Sequence, residues 1–392
     1  MAEVLPQAEW TRRASLARLV EALGADDMRW VGGCVRDTLL GYDSNDIDAA
    51  TRLLPAAVID RCSAAGIRTI PTGIDHGTVT AIVEGGNVEI TTLRRDVATD
   101  GRRATISFSE EWKDDAARRD FTINALYAHP LTLEVSDYFG GLDDLAAHRV
   151  RFIGDPATRI AEDHLRILRY FRFATRFADG WDDAATAACS ELAPTLKGLS
   201  RERVGWELQN LLALPDPVAT VAKMRELGVL QVVLSECGKR EVGKLGELVE
   251  NERKTGIAPD AMRRIAAMLP AVPPVAETVS ARLRFSRSQR DRLTCVAKRD
   301  TRDAEKPEAL AYEVGAECAI DRLLIAGADP SALLEWDVPQ LPLKGGEIVA
   351  RGVGKGPEVA RILQAVEKRW VEEGFPPRER VEALLDEALA AR

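Results

Sequence analysis

The stretch that decides the fold is Val31-Gly32-Gly33-Cys34-Val35-Arg36-Asp37-Thr38-Leu39-Leu40-Gly41, followed shortly by Asp46-Ile47-Asp48. An apolar run that ends in two glycines and passes into a helical pattern reads as a strand-to-helix turn. Glycine lets the backbone approach a ligand closely, and amides at a helix N-terminus favour an anion such as phosphate. Arg36, one turn into that helix, is placed to add a charged contact to the same phosphates. Side chains alternate along a strand, so Asp46 and Asp48 face the same way, about 7 Å apart. Two such carboxylates suit hard Mg²⁺ ions, whose other ligands come from substrate phosphates. That is the layout of two-metal nucleotidyl transfer. Taken singly, a Gly-Gly is a turn and an Asp-x-Asp a polar loop; the order and spacing give the joint reading its weight.

On the N-terminal side, residues 1–25 read as an amphipathic helix with Leu16, Leu19, Val20 and Leu23 at helical spacing. From Met28 to about Arg151 the texture is short β-type runs broken by Gly and Asp. Candidate strands are Arg29–Gly32, Asp46–Thr51, Gly77–Glu84, Asn87–Leu93 and Glu134–Tyr138, and Gly85-Gly86 is a hairpin signal. Glu89, in the strand after that hairpin, is a candidate third carboxylate; the competing reading is an exposed strand glutamate. Helices are expected over Val35–Leu40, Ala56–Ala65 and Ala116–Tyr127. The class is therefore α+β. After Asp155-Pro156, an N-cap with proline at the first helical position, nearly everything reads as helix. A second start lies at Asp216-Pro217, with breaks at Pro270–Pro274 and around Gly327–Pro330.

Two further constellations carry chemistry. In Arg118-Arg119-Asp120-Phe121-Thr122-Ile123-Asn124-Ala125-Leu126, Arg119 could reach a triphosphate. Asp120 and Asn124, four apart, share a helix face and suit hydrogen bonds to ribose hydroxyls, against the plainer reading of a capped surface helix. In the segment Asp155–Phe173, Ile167, Leu168, Phe171 and Ala174 form an apolar face. Glu162, Arg166, Arg169, Arg172 and Arg176 fall opposite. Asp163 and Arg166, three apart, put an acceptor beside a guanidinium fork, a pair able to read the edge of a nucleobase, while the remaining arginines would contact phosphates. The alternative is a salt-bridged, solvated face, but few acids within the segment are available to pair four arginines.

The bulk numbers bound these readings. At 392 residues the chain is expected to hold two to four units, and 46% hydrophobic with 29% charged residues is the balance of a folded globular protein. No apolar run approaches the length needed to span a bilayer, and Met1–Trp10 lacks the pattern of a signal peptide, so no membrane and a cytoplasmic location are the expectations. The six cysteines include no Cys-x-x-Cys pair and read as reduced, mostly buried thiols. A net charge of −9 is an average. The Arg-rich segments 159–176 and 282–302 could still form positive surfaces for nucleic acid.

The three constellations, in this order, resemble the class II CCA-adding tRNA nucleotidyltransferases and their poly(A) polymerase relatives. The resemblance is dense over residues 28–175. It persists in Arg201-Glu202-Arg203-Val204 with Glu207-Leu208, in Met224–Leu230, and in the glycine-rich Gly352–Val359, which looks like the tail of alphaproteobacterial members. It implies a polymerase-β-type head over 1–152, an all-α neck over 153–215 and a helical body and tail over 216–392 that binds tRNA. It implies further that Asp46 and Asp48 bind Mg²⁺, with Glu89 a third catalytic carboxylate. Gly32, Gly33, Arg36 and Arg119 would hold the nucleotide's phosphates and sugar, and Asp120 and Asn124 would check the ribose. Asp163 and Arg166 would read the base of CTP or ATP, supported by Arg169 and Arg172. Ala49 departs from the family pattern, where a β-branched residue is more usual between the aspartates and the end of the strand. Pro71–Thr80 resembles the tRNA-specific group rather than the poly(A) polymerases. None of the four histidines lies in the C-terminal half, so an appended His-Asp phosphohydrolase domain is not expected. The linking segment Arg94–Ala117 looks full length for an enzyme that adds all three nucleotides. The competing readings are a poly(A) polymerase, an enzyme that adds only CC, and a non-catalytic tRNA-binding protein.

Overall fold

The Gly32-Gly33 turn joins a strand to a helix, and a sheet extends to both sides of that strand. The computed structural model describes residues 3–99 and 104–391. They fall into two units, Met1–Glu207 with Lys223–Val233, and Leu208–Ala222 with Leu234–Arg392. The first unit begins with α1 (Ala14–Leu23), β1 (Met28–Val31), α2 (Gly33–Leu39), β2 (Ile47–Thr51) and α3 (Pro55–Ala64). Next come β3 (Arg68–Gly73), β4 (Thr78–Val83), β5 (Gly86–Thr92), β6 (Arg94–Thr99), β7 (Ala104–Phe108) and α4 (Trp112–Ala117). β8 (Leu126–Ala128), β9 (Val135–Asp137) and α5 (Gly141–Ala146) follow, then α6 (Pro156–Glu162), α7 (Arg166–Phe177), α8 (Asp183–Leu192) and α9 (Arg201–Leu212), which runs on into the second unit.

Seven strands form one sheet in the order β3-β4-β5-β2-β1-β8-β9, and β6 and β7 pair separately. Within the sheet β2 and β5 run parallel, and the other pairs are antiparallel. The expected strands are all present, and the Gly85-Gly86 hairpin joins β4 to β5 with φ of +87° and +137°, which only glycine adopts without strain. β3, β6, β7 and β8 were not expected. β3 is mostly exposed and carries Pro71, so it lacks the alternation that marks a half-buried strand. Ala49 is buried in register between Trp30 of β1 and Ile90 of β5.

Three expectations for this unit need correction. The N-terminal helix covers only Ala14–Leu23, burying the four apolar residues named above. The chain before it instead bridges to the β8–β9 turn through Val4 and Glu134 and through the Leu5 amide on the Leu133 carbonyl. Residues 116–127 are not a helix. α4 ends at Ala117, a short 3₁₀ turn covers Thr122–Asn124, and β8 begins at Leu126, because Phe121, Ile123 and Leu126 are all needed in the core. The segment 155–177 is two helices. Asp155 caps α6 by accepting from the Thr158 amide with Pro156 at the first position, as expected, but Asp163 is extended and breaks the run before α7. α7 buries a wider face than the spacing implied, adding Tyr170, Phe173 and Phe177. Phe173 lies 5.1 Å from Phe121 and Tyr170 stacks 5.6 Å from Phe152, ring centre to ring centre. Each such buried ring contributes roughly 1.5–3 kcal/mol, which fastens α7 to the segment around Phe121. Part of the linking segment Arg94–Ala117, residues 100–103, lies outside the described residues, so its length has no structural counterpart here.

After α10 (Val218–Glu226) and α11 (Val229–Val233) the remaining helices are α12 (Lys239–Thr255), α13 (Ala261–Ala267), α14 (Pro273–Arg282), α15 (Arg287–Val296) and α16 (Pro307–Val314). They end with α17 (Ala316–Ala326), α18 (Gly345–Ala350), α19 (Pro357–Glu372) and α20 (Arg378–Ala390). The breaks fall where the prolines and Gly327 put them, Gly327 closing α17 at φ +80°. Glu252 is buried and ion-paired to both Arg263 and Arg264, and Asp321 to Arg263 and Arg292. Trp370, Val366, Ile348 and Leu384 centre a second apolar cluster. The expectation of six reduced thiols is overturned. Cys295 on α15 and Cys318 on α17 form a disulfide with their Cα atoms 6.3 Å apart, and the other four cysteines are free and buried. Sequence spacing could not show this pairing, since packing of two helices brings together residues 23 positions apart. No helix among the described residues is long and apolar enough to cross a membrane.

Candidate active site

At the turn itself Gly32 has φ +74° and caps α2, a backbone state that L side chains rarely adopt. Its amide donates to the Leu126 carbonyl at 3.2 Å. Gly32 therefore shapes the turn, and its N–H is already engaged. Asp48 lies on β2, with Asp46 exposed just before the strand. Across the parallel pairing Glu89 of β5 stands directly beside Asp48 in register, so the two carboxylates share a sheet face. The Asp48 carboxyl is pushed up to about 6, by burial first and then by the charges of Glu89 and Asp46, with Arg119 acting in the opposite sense. Crowded, partly desolvated acids of this kind are stabilised by a cation.

The two arginines expected at the phosphates are placed differently. Arg119 flanks the turn: a methyl group added to Gly32 would come within 3.4 Å of its Nη1. It is aimed by Asp115, whose Oδ2 accepts from Nη2 at 3.1 Å, and by the Tyr127 hydroxyl, which accepts from Nε at 3.0 Å. Arg36 is buried. Its Nε donates to Asp37 at 2.8 Å, Nη1 donates to Asn124 Oδ1, and the guanidinium lies over the ring of Phe177 at 4.3 Å. Burial lowers its pKa, while Asp37 acts to raise it. Its position on α2 turns it toward the aromatic side of α7, where it lies over Phe173 and Phe177.

Asp120 and Asn124 meet without the helix that was expected to bring them together. Asn124 Nδ2 donates to Asp120 Oδ1 at 3.0 Å across the 3₁₀ turn, and the Phe121 amide donates to the same oxygen at 2.9 Å. Asp120 Oδ2 accepts from Arg169. Burial alone would raise the Asp120 pKa, but Arg169 and these hydrogen bonds hold it down at about 2. Arg169 also approaches Glu207 at 3.6 Å, and Glu207 accepts from Arg172 Nε at 2.7 Å. A continuous polar chain thus runs Arg36–Asn124–Asp120–Arg169–Glu207–Arg172, all within the first unit.

Asp163 and Arg166 are close in sequence but do not pair. Asp163 accepts from Arg203 at 2.7 Å and from the Leu165 amide at 3.1 Å. Arg166 donates to Glu162 at 2.6 Å and to the Arg159 and Arg118 carbonyls at 2.9 Å. The arginines of this segment are paired after all, because acids come from other elements: Asp120, Glu207 and, for Arg176, Asp37. In the segment 282–302, Arg282, Arg287, Arg292 and Arg302 each pair with a carboxylate, while Arg284, Arg290 and Lys298 are exposed. Asp163 and Arg169 line a cavity of about 400 Å³ together with Leu165, Arg203, Trp206 and Glu207. Asp115, Tyr127, Arg203, Trp206 and Glu207 had been given no role. The sequence signal for the last three was the Arg201–Leu208 stretch, which marks a helix without saying which residues turn toward α7.

Among the described residues no three His, Cys, Asp or Glu side chains converge on a metal position. Asp48 with Glu89 beside it, and Asp46 nearby, is an all-oxygen donor set. It fits a hard divalent ion that completes its shell with substrate phosphates and water.

Residues 28–151 match the family model of the Poly A polymerase head domain, and residues 182–238 match the model described as probable RNA and SrmB-binding site of polymerase A. The mitochondrial CCA tRNA nucleotidyltransferase 1 of Mus musculus is 33% identical over 370 residues, covering 89% of this chain and 84% of its own length. The CCA-adding enzyme of Limosilactobacillus fermentum is 31% identical over 389 residues, 94% of each chain. Among solved structures, the CCA-adding enzyme of Bacillus stearothermophilus in complex with CTP superposes with a TM-score of 0.77 at 25% identity, over 96% of this chain and 98% of that one. With relatives above 30% identity along nearly its whole length, and with a glycine turn, strand aspartates and a helical continuation arranged as described, this chain belongs to the family of CCA-adding tRNA nucleotidyltransferases.

Proposed function

We propose that this chain adds CCA to the 3′ end of tRNA without a nucleic-acid template, using CTP and ATP and releasing pyrophosphate. The observation that carries the reading is the polar chain from Arg36 to Arg172. It ties the glycine-turn end, suited to phosphates, to a base-sized cavity walled by side chains, so protein groups can do the work of a template. In this reading Asp46 and Asp48 hold Mg²⁺, with Glu89 supporting the carboxylate cluster. When bound, the ion would neutralise charge building on the α-phosphate and on departing pyrophosphate. Gly33 and Arg119 bind the triphosphate, while Gly32 sets the turn and Arg36 anchors α7 from within. Asp120 and Asn124 orient the sugar, Asp163 and Arg166 read the base, and Arg169 and Arg172 support that wall. The functional division is a catalytic head over 1–152, a base-reading neck over 153–215 and a tRNA-holding body and tail over 216–392, working in the cytoplasm. Most of the acceleration comes from positioning and preorganised charge.

The test is single-nucleotide-resolution extension of a tRNA transcript lacking its 3′ CCA, with CTP, ATP or both. Two additions with CTP, and a third only when ATP joins it, are expected. A stop at two with both present would mean CC addition, a long A ladder would mean poly(A) synthesis, and binding without extension would sink the enzymatic reading.

A further inference from the structure

Trp206 on α9 is 57% exposed, whereas Trp10, Trp30 and Trp112 of the same unit are buried. Packing does not account for it. The buried stripe of α9 is Val204, Glu207, Leu208 and Leu211, spaced as the core-facing side of a helix, and Trp206 stands off that stripe. Its ring instead lines the cavity of about 400 Å³ that also holds Asp163, Arg169 and Arg203. The Arg172 guanidinium sits 6.0 Å from its ring centre, held there by Glu207. An open aromatic face beside a wall of carboxylate and guanidinium groups is the pairing of surfaces that a planar heterocycle needs: one face stacked, one edge hydrogen-bonded.

Resting on the proposed nucleotide-addition reading, we propose that Trp206 is the stacking platform for the base of the incoming nucleotide. Every base has a π face, so stacking is tolerant of base identity. The platform therefore raises affinity for CTP and ATP together and leaves the choice between bases to the hydrogen-bonding wall. Arg172 limits the motion of the indole and adds a cation–π contact of its own.

The experiment uses the full chain with Trp206→Ala and Trp206→Phe. Steady-state extension of tRNA gives KM and kcat for CTP, ATP and tRNA, and quenching of intrinsic tryptophan fluorescence by CTP is recorded without tRNA. Expected for Trp206→Ala is a rise of about tenfold or more in KM for both nucleotides, with kcat within about twofold and KM for tRNA unchanged. Trp206→Phe should recover most of the affinity, and the CTP-dependent quench should be lost in both variants. Unchanged nucleotide KM values would overturn the proposal. So would a rise confined to KM for tRNA, which would assign the ring to the primer, or a fall in kcat and thermal stability that phenylalanine does not rescue, which would make the ring structural. If the wild-type chain adds no nucleotide, the function reading fails, and the quench comparison still decides whether Trp206 meets CTP.

Discussion

Asp120 and Arg169, 49 residues apart, form a forked ion pair: Asp120 Oδ2 accepts from Arg169 Nε at 2.8 Å and from Nη2 at 2.6 Å. One partner lies on the loop after α4, the other on α7, and the pair is the central link of the polar chain between glycine turn and base-sized cavity. Asp120→Ala would leave Arg169 and Asn124 without their main acceptor. Breaking a buried pair from one side costs on the order of 3–5 kcal/mol. The lower end is expected, since Arg169 is partly exposed and keeps Glu207 at 3.6 Å. Denaturant unfolding of variant and wild type checks this; a loss below about 1 kcal/mol would show that the pair does not hold the unit together.

The same residue sets a pH dependence. Asp120 and Asp115 are both held at about 2, against an ordinary aspartate value near ~3.9. A depressed folded-state pKa means stability that is fully present above the unfolded value and is lost as pH falls through the folded one. The unfolded chain takes up these protons first, so the loss runs from about pH 4 down to about pH 2, on the order of 2 kcal/mol for each group. Asp120→Asn should flatten the slope in that window and leave the curve between pH 5 and 7 level. Unfolding free energies measured across pH 2.5–7 would show it.

How far the sequence carried depended on whether a feature is local. The turn at Gly32-Gly33, the Gly85-Gly86 hairpin and the Asp155-Pro156 cap are set by neighbours in the chain, and each appears where the residues put it. Types and order pick out the residues of the candidate site, and Arg36, Asn124, Asp120 and Arg169 meet in one polar chain. Their geometry was not legible. A helix through 116–127 fits the local pattern, but Phe121 and Leu126 are both drawn into the core, and β8 pairs with β1. The break at Asp163 reflects its bond to Arg203, 40 residues away. Arg36 and Arg119 look equivalent as motif arginines. Only the packing of α7 shows that one is buried against Phe177 while the other flanks the turn. The partners of Arg169 and Arg172, Asp120 and Glu207, likewise lie too far along the chain for spacing to reveal.

Asp48 separates stability from activity. Its carboxylate is half-buried beside Glu89 in register, an arrangement that is unfavourable for the metal-free chain. Asp48→Asn removes one of the crowded charges at constant shape. In the presence of chelator the variant is therefore expected to be more stable by on the order of 1 kcal/mol. Extension activity should fall by at least about 10²–10³-fold, the scale of losing one preorganised group that handles transition-state charge. Binding of tRNA should be unchanged. Melting curves in EDTA, filter binding and primer extension give the three readouts. Substantial activity in both Asp48→Asn and Asp46→Ala would remove these residues from the chemistry.

The base wall makes a prediction about choice rather than rate. Asp163 pairs with Arg203, and Arg166 is fixed by Glu162 and two carbonyls, so each is held in one orientation. A fixed hydrogen-bonding group discriminates a base edge by roughly 1–3 kcal/mol. Asp163→Ala and Arg166→Ala should each reduce the preference for CTP over UTP by about tenfold or more in direct competition. Should the ratio of kcat/KM values stay constant while both fall, the residues would be shaping the wall rather than reading the base.

In the second unit α15 and α17 are joined twice, by the Cys295–Cys318 disulfide and by Arg292, whose Nε donates to Asp321 at 2.7 Å. The disulfide closes a loop across 23 positions. In the chain-entropy view this restricts the unfolded state and is worth about 3 kcal/mol. Because the Arg292–Asp321 pair, with Asp321 buried and Arg292 partly exposed, survives reduction, reductant should lower the unfolding midpoint of this unit without separating the helices. Titration of thiols in denaturant should find the four free cysteines before reduction and all six afterwards. Cys295→Ser should reproduce the loss of stability and make it insensitive to reductant. Combined with Asp321→Ala, it should cost less than the sum of the two single changes, since each cross-link keeps the other's partners in place and either single change already loses that mutual support.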